Sequence, residues 1–141
     1  MGKMPMFKRS EIVDAITTNG FSPEQGKGSH KKYIHKDFPW LFIVLDKNAE
    51  TSGNLYVHAI NALALLEILT GEPLNTKRIS EKMRQDLIPR RKRADIKTLV
   101  NLEMQKQIGN ENLDQFLESE KQRYKKLKTA LQKNKGGRDK K

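Results

Sequence analysis

The stretch KGSHKKYIH, residues 27–35, is a short basic turn that runs into an alternating segment. Alternation over residues 29–36 predicts a strand with Tyr33 and His35 on one face. Residues 40–45, Trp-Leu-Phe-Ile-Val-Leu, are continuously apolar, which is typical of a central strand buried on both faces. These two strands form the predicted centre of the fold, and helices are expected to cover them.

A helix and an edge strand are predicted before the basic turn. Residues 8–19 carry apolar side chains at helical spacing, namely Ile12, Val13 and Ile16. Ser10 can cap this helix locally, and Gly20 supplies the left-handed residue that ends it. Residues 21–25 are predicted as a short strand. Pro23 limits that strand to a sheet edge, because proline lacks the N–H that pairs strands.

The segment after the apolar strand allows two interpretations. Residues 54–58 could form a fourth strand. We prefer one helix over residues 54–69, because apolar residues recur there at helical spacing and three alanines favour helix. Gly71 and Pro73 would end it. The compact unit is therefore α-β-β-β-α, a small α+β domain predicted over residues 1–72.

An all-α basic extension is predicted over residues 73–134. One helix is expected over residues 76–87, with Pro89 as its break, and a second is expected to end at Gly109. A third helical pattern covers residues 111–134. The tail, residues 135–141, has no apolar residue, so it is predicted to be disordered until it meets a partner.

The last predicted helix carries a short heptad stripe with Glu120 in one polar slot. Its apolar members are separated by steps of three and four residues, or by seven across that slot: Leu113, Leu117, Tyr124, Leu127 and Leu131. We expect this stripe to pack within the chain, against the helices over residues 76–87 and 93–108. A homodimer seam is the alternative, although three heptads are short for an isolated seam.

The net charge of +11 lies entirely in the C-terminal half. Residues 1–76 hold 8 Lys/Arg and 8 Asp/Glu, whereas residues 77–141 hold 20 Lys/Arg and 9 Asp/Glu. Such a split indicates a segment that contacts a polyanion, and nucleic acid is the first candidate. The densest basic cluster is therefore predicted to bind nucleic acid: Arg90, Arg91, Lys92 and Arg93. A well-solvated helical surface is the alternative.

Over residues 7–70 the order of helix, basic turn and strands resembles the HicA family, small toxins of toxin–antitoxin pairs that cleave mRNA. Three segments carry the resemblance: KRSEIV at residues 8–13, Asn19-Gly20-Phe21, and Lys27, Gly28, Ser29 and His30 with Tyr33. The resemblance implies a fold like a double-stranded-RNA-binding domain, with His30 as the catalytic residue. It also implies an antitoxin-like protein that covers His30.

The residues around His30 suit RNA cleavage. A histidine can take the 2′-hydroxyl proton as a base or protonate the leaving oxygen as an acid. The flanking Lys27, Lys31 and Lys32 would hold the phosphate and stabilise developing negative charge, in a turn completed by Gly28 and Ser29. The predicted function is therefore that of an RNA-binding endoribonuclease that uses neither metal nor cofactor. His35 lies five residues on, an odd number that places it on the opposite face of an unbroken strand, although the turn predicted at Ser29-His30 leaves a pair of the two histidines open.

Two other functions stay open. The first is a non-catalytic module that binds nucleic acid or a ribonucleoprotein through the basic C-terminal helices. The second is an inhibitor or adaptor that binds another protein through the heptad helix.

Composition excludes several classes of site. The chain has no cysteine, so disulfides and thiol nucleophiles are excluded and a cytoplasmic location is expected. Its three scattered histidines lack a carboxylate at ligand spacing, so no metal site is predicted. The longest apolar stretch, residues 59–69, is interrupted and too short to cross a membrane, so no membrane partner is expected.

Overall fold

The computed structural model describes residues 7–25, 30–46, 50–51, 53–92, 96–109 and 112–139. Over these residues the chain is an α+β protein with a three-stranded antiparallel sheet and five α-helices, which confirms the predicted fold class. The elements in chain order are β1 (Phe7–Lys8), α1 (Arg9–Thr18), β2 (Phe21–Pro23), β3 (His30–His35), β4 (Phe42–Asp46), β5 (Glu50–Thr51), α2 (Gly53–Thr70), α3 (Glu81–Arg91), a 3-10 turn (Ile96–Leu99), α4 (Leu102–Ile108) and α5 (Leu113–Asp139).

The sheet has the strand order β2-β3-β4, with both pairs antiparallel. The edge position predicted for the strand with Pro23 is confirmed, but β4 is also an edge strand, so the central position predicted for residues 40–45 is wrong. The apolar run is buried for a different reason. Helix α2 packs against β4, and the ammonium of Lys32 lies 4.2 Å from the centre of the Phe42 ring. A separate two-residue ladder joins β1 to β5.

Helix α1 follows the predicted pattern, with Ile12, Ala15 and Ile16 buried. Its N-cap is Lys8, which makes no side-chain capping bond, so Ser10 lies inside the first turn and does not take the predicted capping role. The chain then turns at Gly20, whose φ of +92° is in the left-handed region that favours glycine. This turn brings β2 alongside the end of β3.

Helix α2 confirms the helical interpretation of residues 54–69. It is apolar around most of its circumference, and half of its residues are buried: Tyr56, Ala59, Ile60, Ala62, Leu63, Ala64, Leu65, Leu66 and Leu69. A helix of this kind must be covered on several sides. The described contacts supply that cover from β4, α1, α3, the 3-10 turn and α5.

Helix α3 begins later and continues further than the periodicity predicts. The Ser80 hydroxyl accepts a hydrogen bond from the Met83 N–H at 3.3 Å, which caps the helix. Pro89 lies inside the helix, so the predicted break there is wrong. Proline removes one N–H donor near the end of the helix. Bonds from Arg90 and Arg91 to α2 hold the final turn in place.

The segment predicted as one helix to Gly109 is a 3-10 turn followed by the short helix α4. The Asn101 side chain separates them, because its oxygen accepts the Met104 N–H at 2.8 Å and caps α4. Gly109 ends α4 with a φ of +62°, as predicted. Side chains of both pieces are buried with the rest of the apolar core.

Helix α5 packs within the chain, which confirms the preferred interpretation of its stripe for Leu117 and Tyr124. Its main described partners are α2, the β3–β4 connection and the 3-10 turn, which lies within the predicted partner segment of residues 93–108. The packing predicted against residues 76–87 stays a prediction. The Trp40 indole N–H donates to the Glu120 carboxylate at 2.6 Å, and the Tyr124 and Phe38 rings stack with centres 5.5 Å apart. Dimerisation stays a prediction.

Buried side chains of the α-β-β-β-α unit and of the helical extension form one continuous cluster. The extension therefore contributes to the same core, with Leu87 and Leu117 fully buried. Helix α5 reaches Asp139, into the tail predicted over residues 135–141, and the disorder of that tail without a partner stays a prediction.

We expect Leu117→Asp to destabilise the monomer, because it removes a fully buried side chain and places a carboxylate in the core. The loss should be roughly 3–5 kcal/mol in the free energy of unfolding, measured by urea titration. Leu131→Asp is the matched control on the same helix, since Leu131 is 54% exposed. Equal losses, or light scattering that shows a wild-type dimer becoming a folded monomer, would contradict packing within the chain.

We expect Gly20→Ala to destabilise the protein more than Gly71→Ala does. Both glycines have positive φ, so both changes carry a backbone penalty of about 1–2 kcal/mol. An added Cβ at Gly20 would lie 2.7 Å from Nε2 of His35, whereas at Gly71 it would meet no described atom within 4 Å. Equal midpoints in urea for the two variants would contradict this prediction and would show that the His35 ring can move away from the added methyl group at little cost.

Candidate active site

The candidate site is built by the first residue of β3 and the last residue of β4. Register in the hairpin places His30 directly opposite Asp46. The His30 Nε2 atom lies 3.0 Å from Oδ1 of Asp46. The His30 side chain is 57% exposed and that of Asp46 is 25% exposed, so the pair is open to solvent. Both described side chains are therefore accessible from solvent.

This pair has the arrangement of a positioned histidine. A carboxylate that accepts the proton on Nε2 holds the ring in one orientation and leaves Nδ1 as the atom that exchanges protons. The same carboxylate stabilises the imidazolium that forms when the ring takes up a proton. The arrangement can thus serve general acid–base chemistry at Nδ1.

The two described lysines beside His30 lie on different faces of β3. Residues two apart on a strand share a face, so Lys32 lies on the face of His30 and Lys31 lies on the other. The Lys32 ammonium lies over the Phe42 ring, and Phe42 pairs with Ile34, so this charge is directed along the hairpin away from His30 and Asp46. Three further residues predicted in this turn, Lys27, Gly28 and Ser29, lie outside the described residues.

The predicted basic cluster at the end of α3 is engaged with α2. Arg90 donates from Nε to the Asn61 side-chain oxygen at 2.6 Å, and from Nη1 to the Asp86 carbonyl oxygen at 2.7 Å. Arg91 lies 2.6 Å from the Glu67 carboxylate. Lys92 follows as an exposed residue at the helix end, and Arg93 lies outside the described residues. The structure therefore uses Arg90 and Arg91 to join two helices.

His35 is a buried structural residue on the face of β3 opposite His30. Its Nδ1 accepts the Asp37 backbone N–H at 3.0 Å, and its ring packs edge-on against Phe21. Burial lowers the pKa of His35, and the opposing effect of the nearby Asp37 does not compensate for it. The structure does not bring His35 and His30 together, as their odd spacing predicts.

The described cavities lie away from His30. One of about 440 Å³ is lined by His35, Tyr124 and the side chains that follow Tyr124 on α5. Its hydroxyl and carboxylate groups bond to each other, as Tyr124 does to Glu72 at 3.1 Å. A second cavity, of about 450 Å³, is lined by the half-buried His58 and by polar residues of α2 and α4. Among the described residues no cluster of histidines and carboxylates could hold a metal ion.

Asp46 is the site residue that sequence reasoning misses. The sequence places it at the start of a polar loop, and its role depends on the exact pairing of β3 with β4. An antiparallel hairpin offers one signal, because a histidine at the start of the first strand faces the end of the second strand. That signal becomes usable only when both strand ends are known, and the predicted ends differ by one residue from the observed ones.

Comparison of the chain with protein-family models, with curated proteins and with solved structures gave no significant match. In the described part of the chain no helix is long and apolar enough to span a membrane. The residues themselves and the geometry of the His30–Asp46 pair are therefore the basis for assigning a function.

We expect unfolding stability to fall as the pH drops below about 6.5, the ordinary pKa of histidine. The pKa of His35 is lowered in the folded state, so the unfolded state takes up the proton first. The contribution of neutral His35 to the free energy of unfolding is therefore fully present above that pH and decreases below it. Urea midpoints between pH 7.5 and 5 should show this slope in wild type and a weaker slope in His35→Gln. An unchanged slope in His35→Gln would contradict the assignment.

Proposed function

We propose that this chain is a HicA-like RNA-binding protein that cleaves RNA with His30 as its catalytic residue. The observation that carries the proposal is the 3.0 Å contact between His30 and Asp46 at the exposed end of the hairpin. It adds a positioning carboxylate to the histidine on which the resemblance to the HicA family depends. The reaction uses the substrate's own 2′-hydroxyl as nucleophile, so it needs acid–base groups and cations from the protein.

The proposed reaction begins with proton transfer from the 2′-hydroxyl to Nδ1 of His30. The 2′-oxygen attacks the neighbouring phosphorus, and the bond from phosphorus to the 5′-oxygen breaks. His30 then returns its proton to the 5′-oxygen, so the products are a 2′,3′-cyclic phosphate and a 5′-hydroxyl. Asp46 stabilises the imidazolium between these steps.

A second candidate function is nucleic-acid binding without cleavage. It is favoured by the position of His35, which is buried on the opposite face and cannot act as a second acid or base beside His30. The third interpretation, an adaptor that uses the heptad helix, has less support, because Leu117 and Tyr124 are buried within the chain. In the toxin interpretation, an antitoxin-like partner would cover the exposed His30.

We expect His30→Ala to lower the rate of RNA cleavage by roughly 10²–10⁴-fold, because it removes the general base. Asp46→Asn should give a smaller loss, since it keeps the histidine but removes the charge that stabilises the imidazolium. Cleavage of a labelled RNA by purified full-length chains measures both effects. His58→Ala is the control, because His58 lies on α2 away from the hairpin.

Circular dichroism must show that each variant is folded. Equal cleavage by wild type and His30→Ala would contradict the catalytic role of His30. A wild-type chain that binds RNA but leaves it intact would favour the second candidate.

A further inference from the structure

The outward face of α5 is a basic surface that the His30 site does not use. Residues 121–141 hold ten Lys/Arg and one Asp, which is most of the net charge of the chain. Arg123 donates to the Asp37 carbonyl oxygen at 2.6 Å, and Lys128 lies 3.3 Å from the Glu72 carboxylate. Lys125 and Lys126 are exposed, and within the described residues no ion pair joins them to a carboxylate. We call these two residues the α5 ridge.

The apolar side of α5 is already occupied, which decides between two kinds of polyanion. A basic helix that binds a lipid surface needs a free apolar face to insert. Here Leu117 and Tyr124 from that face are buried against the body of the protein. In the described part of α5, Leu131 is the one exposed large apolar residue, which is too little for insertion into a lipid surface. The cations therefore dominate the free face, and a phosphate backbone in solution needs only cations.

The α5 ridge is also the better candidate than the predicted cluster on α3. Arg90 is hydrogen-bonded to Asn61, and the charge of Arg91 is paired with the Glu67 carboxylate, so part of their capacity to bind a phosphate is already used within the fold. Lys125 and Lys126 have no such described carboxylate partner.

We propose that the α5 ridge docks the RNA backbone, at the end of the sheet opposite His30. Arg123 joins α5 to Asp37, which follows the last residue of β3, whereas His30 is its first residue. With a rise of about 3.3 Å per residue, the two ends of β3 are about 17 Å apart. An RNA that reaches both ends must therefore be several nucleotides long. Docking rests on the proposed function only for the choice of RNA as the polyanion.

The ridge is tested with full-length Lys125→Gln/Lys126→Gln, a change that removes two charges and retains good helix formers. The matched control is Lys82→Gln/Lys106→Gln, which removes two exposed lysines from α3 and α4. If both ridge lysines contact phosphate, the slope of log affinity against log salt should fall by about 1.4, and affinity at 0.1 M salt should fall roughly 25-fold. The control pair should keep the wild-type slope.

Cleavage assays separate this inference from the proposed function. The ridge variant should raise KM and keep kcat, whereas His30→Ala should lose kcat and keep RNA affinity. A trinucleotide should be cut far less efficiently than a 12-mer that carries the same cleavage site.

An unchanged affinity and salt slope in the ridge variant would overturn the docking inference, whatever His30→Ala does. Binding of the wild type to phosphatidylserine vesicles but not to RNA would overturn it in favour of a membrane.

Discussion

Helix α2 sets the main constraint on this structure, because it is apolar around most of its circumference. A helix with one apolar stripe can be covered by a single sheet, but α2 also buries residues on the sides that face away from β4. Burying each large apolar side chain is worth roughly 1.5–3 kcal/mol, so the uncovered sides need partners of their own. Helices α3 and α5 and the 3-10 turn provide them. The basic extension is therefore part of the folded core as well as a carrier of charge.

The few polar groups on α2 explain the position of the basic cluster. Asn61 and Glu67 each receive an arginine from the end of α3, and Glu67 also accepts the Leu74 backbone N–H at 3.2 Å. A half-buried carboxylate and amide between packed helices need hydrogen-bond donors, and arginine supplies several from one planar group. The sequence shows where the basic residues cluster, but it does not show which of them form hydrogen bonds within the folded chain.

Local periodicity was sufficient to predict much of the fold. The first helix, the helix over residues 54–69 and the alternation of Tyr33 and His35 were all visible in the order of apolar and polar residues. The prediction failed where distant segments decide the outcome. Pro89 stays in a helix because α2 holds the turn beyond it, and β4 is buried at an edge because α2 covers it.

The candidate site shows the same division. His30 was identified from residues next to it, whereas Asp46 becomes its partner only through strand register. Glu120 appeared as a flaw in an apolar stripe, yet it accepts the Trp40 indole N–H and a bond from Arg123. Burial alone would raise the pKa of Glu120, but those hydrogen bonds lower it. A partner 80 residues away cannot be inferred from the spacing within one helix.

The packing of α5 against α2 also has a consequence for how the chain is made. Synthesis proceeds from the N-terminus, so α2 leaves the ribosome before the helix that covers part of its apolar surface. At about 5–20 residues per second, the chain from Thr70 to Tyr124 takes roughly 3–11 seconds to appear. During that interval the nascent protein presents an incompletely covered apolar helix to its surroundings. Its yield of native molecules should depend on translation speed and on the chaperones that reach the emerging chain first.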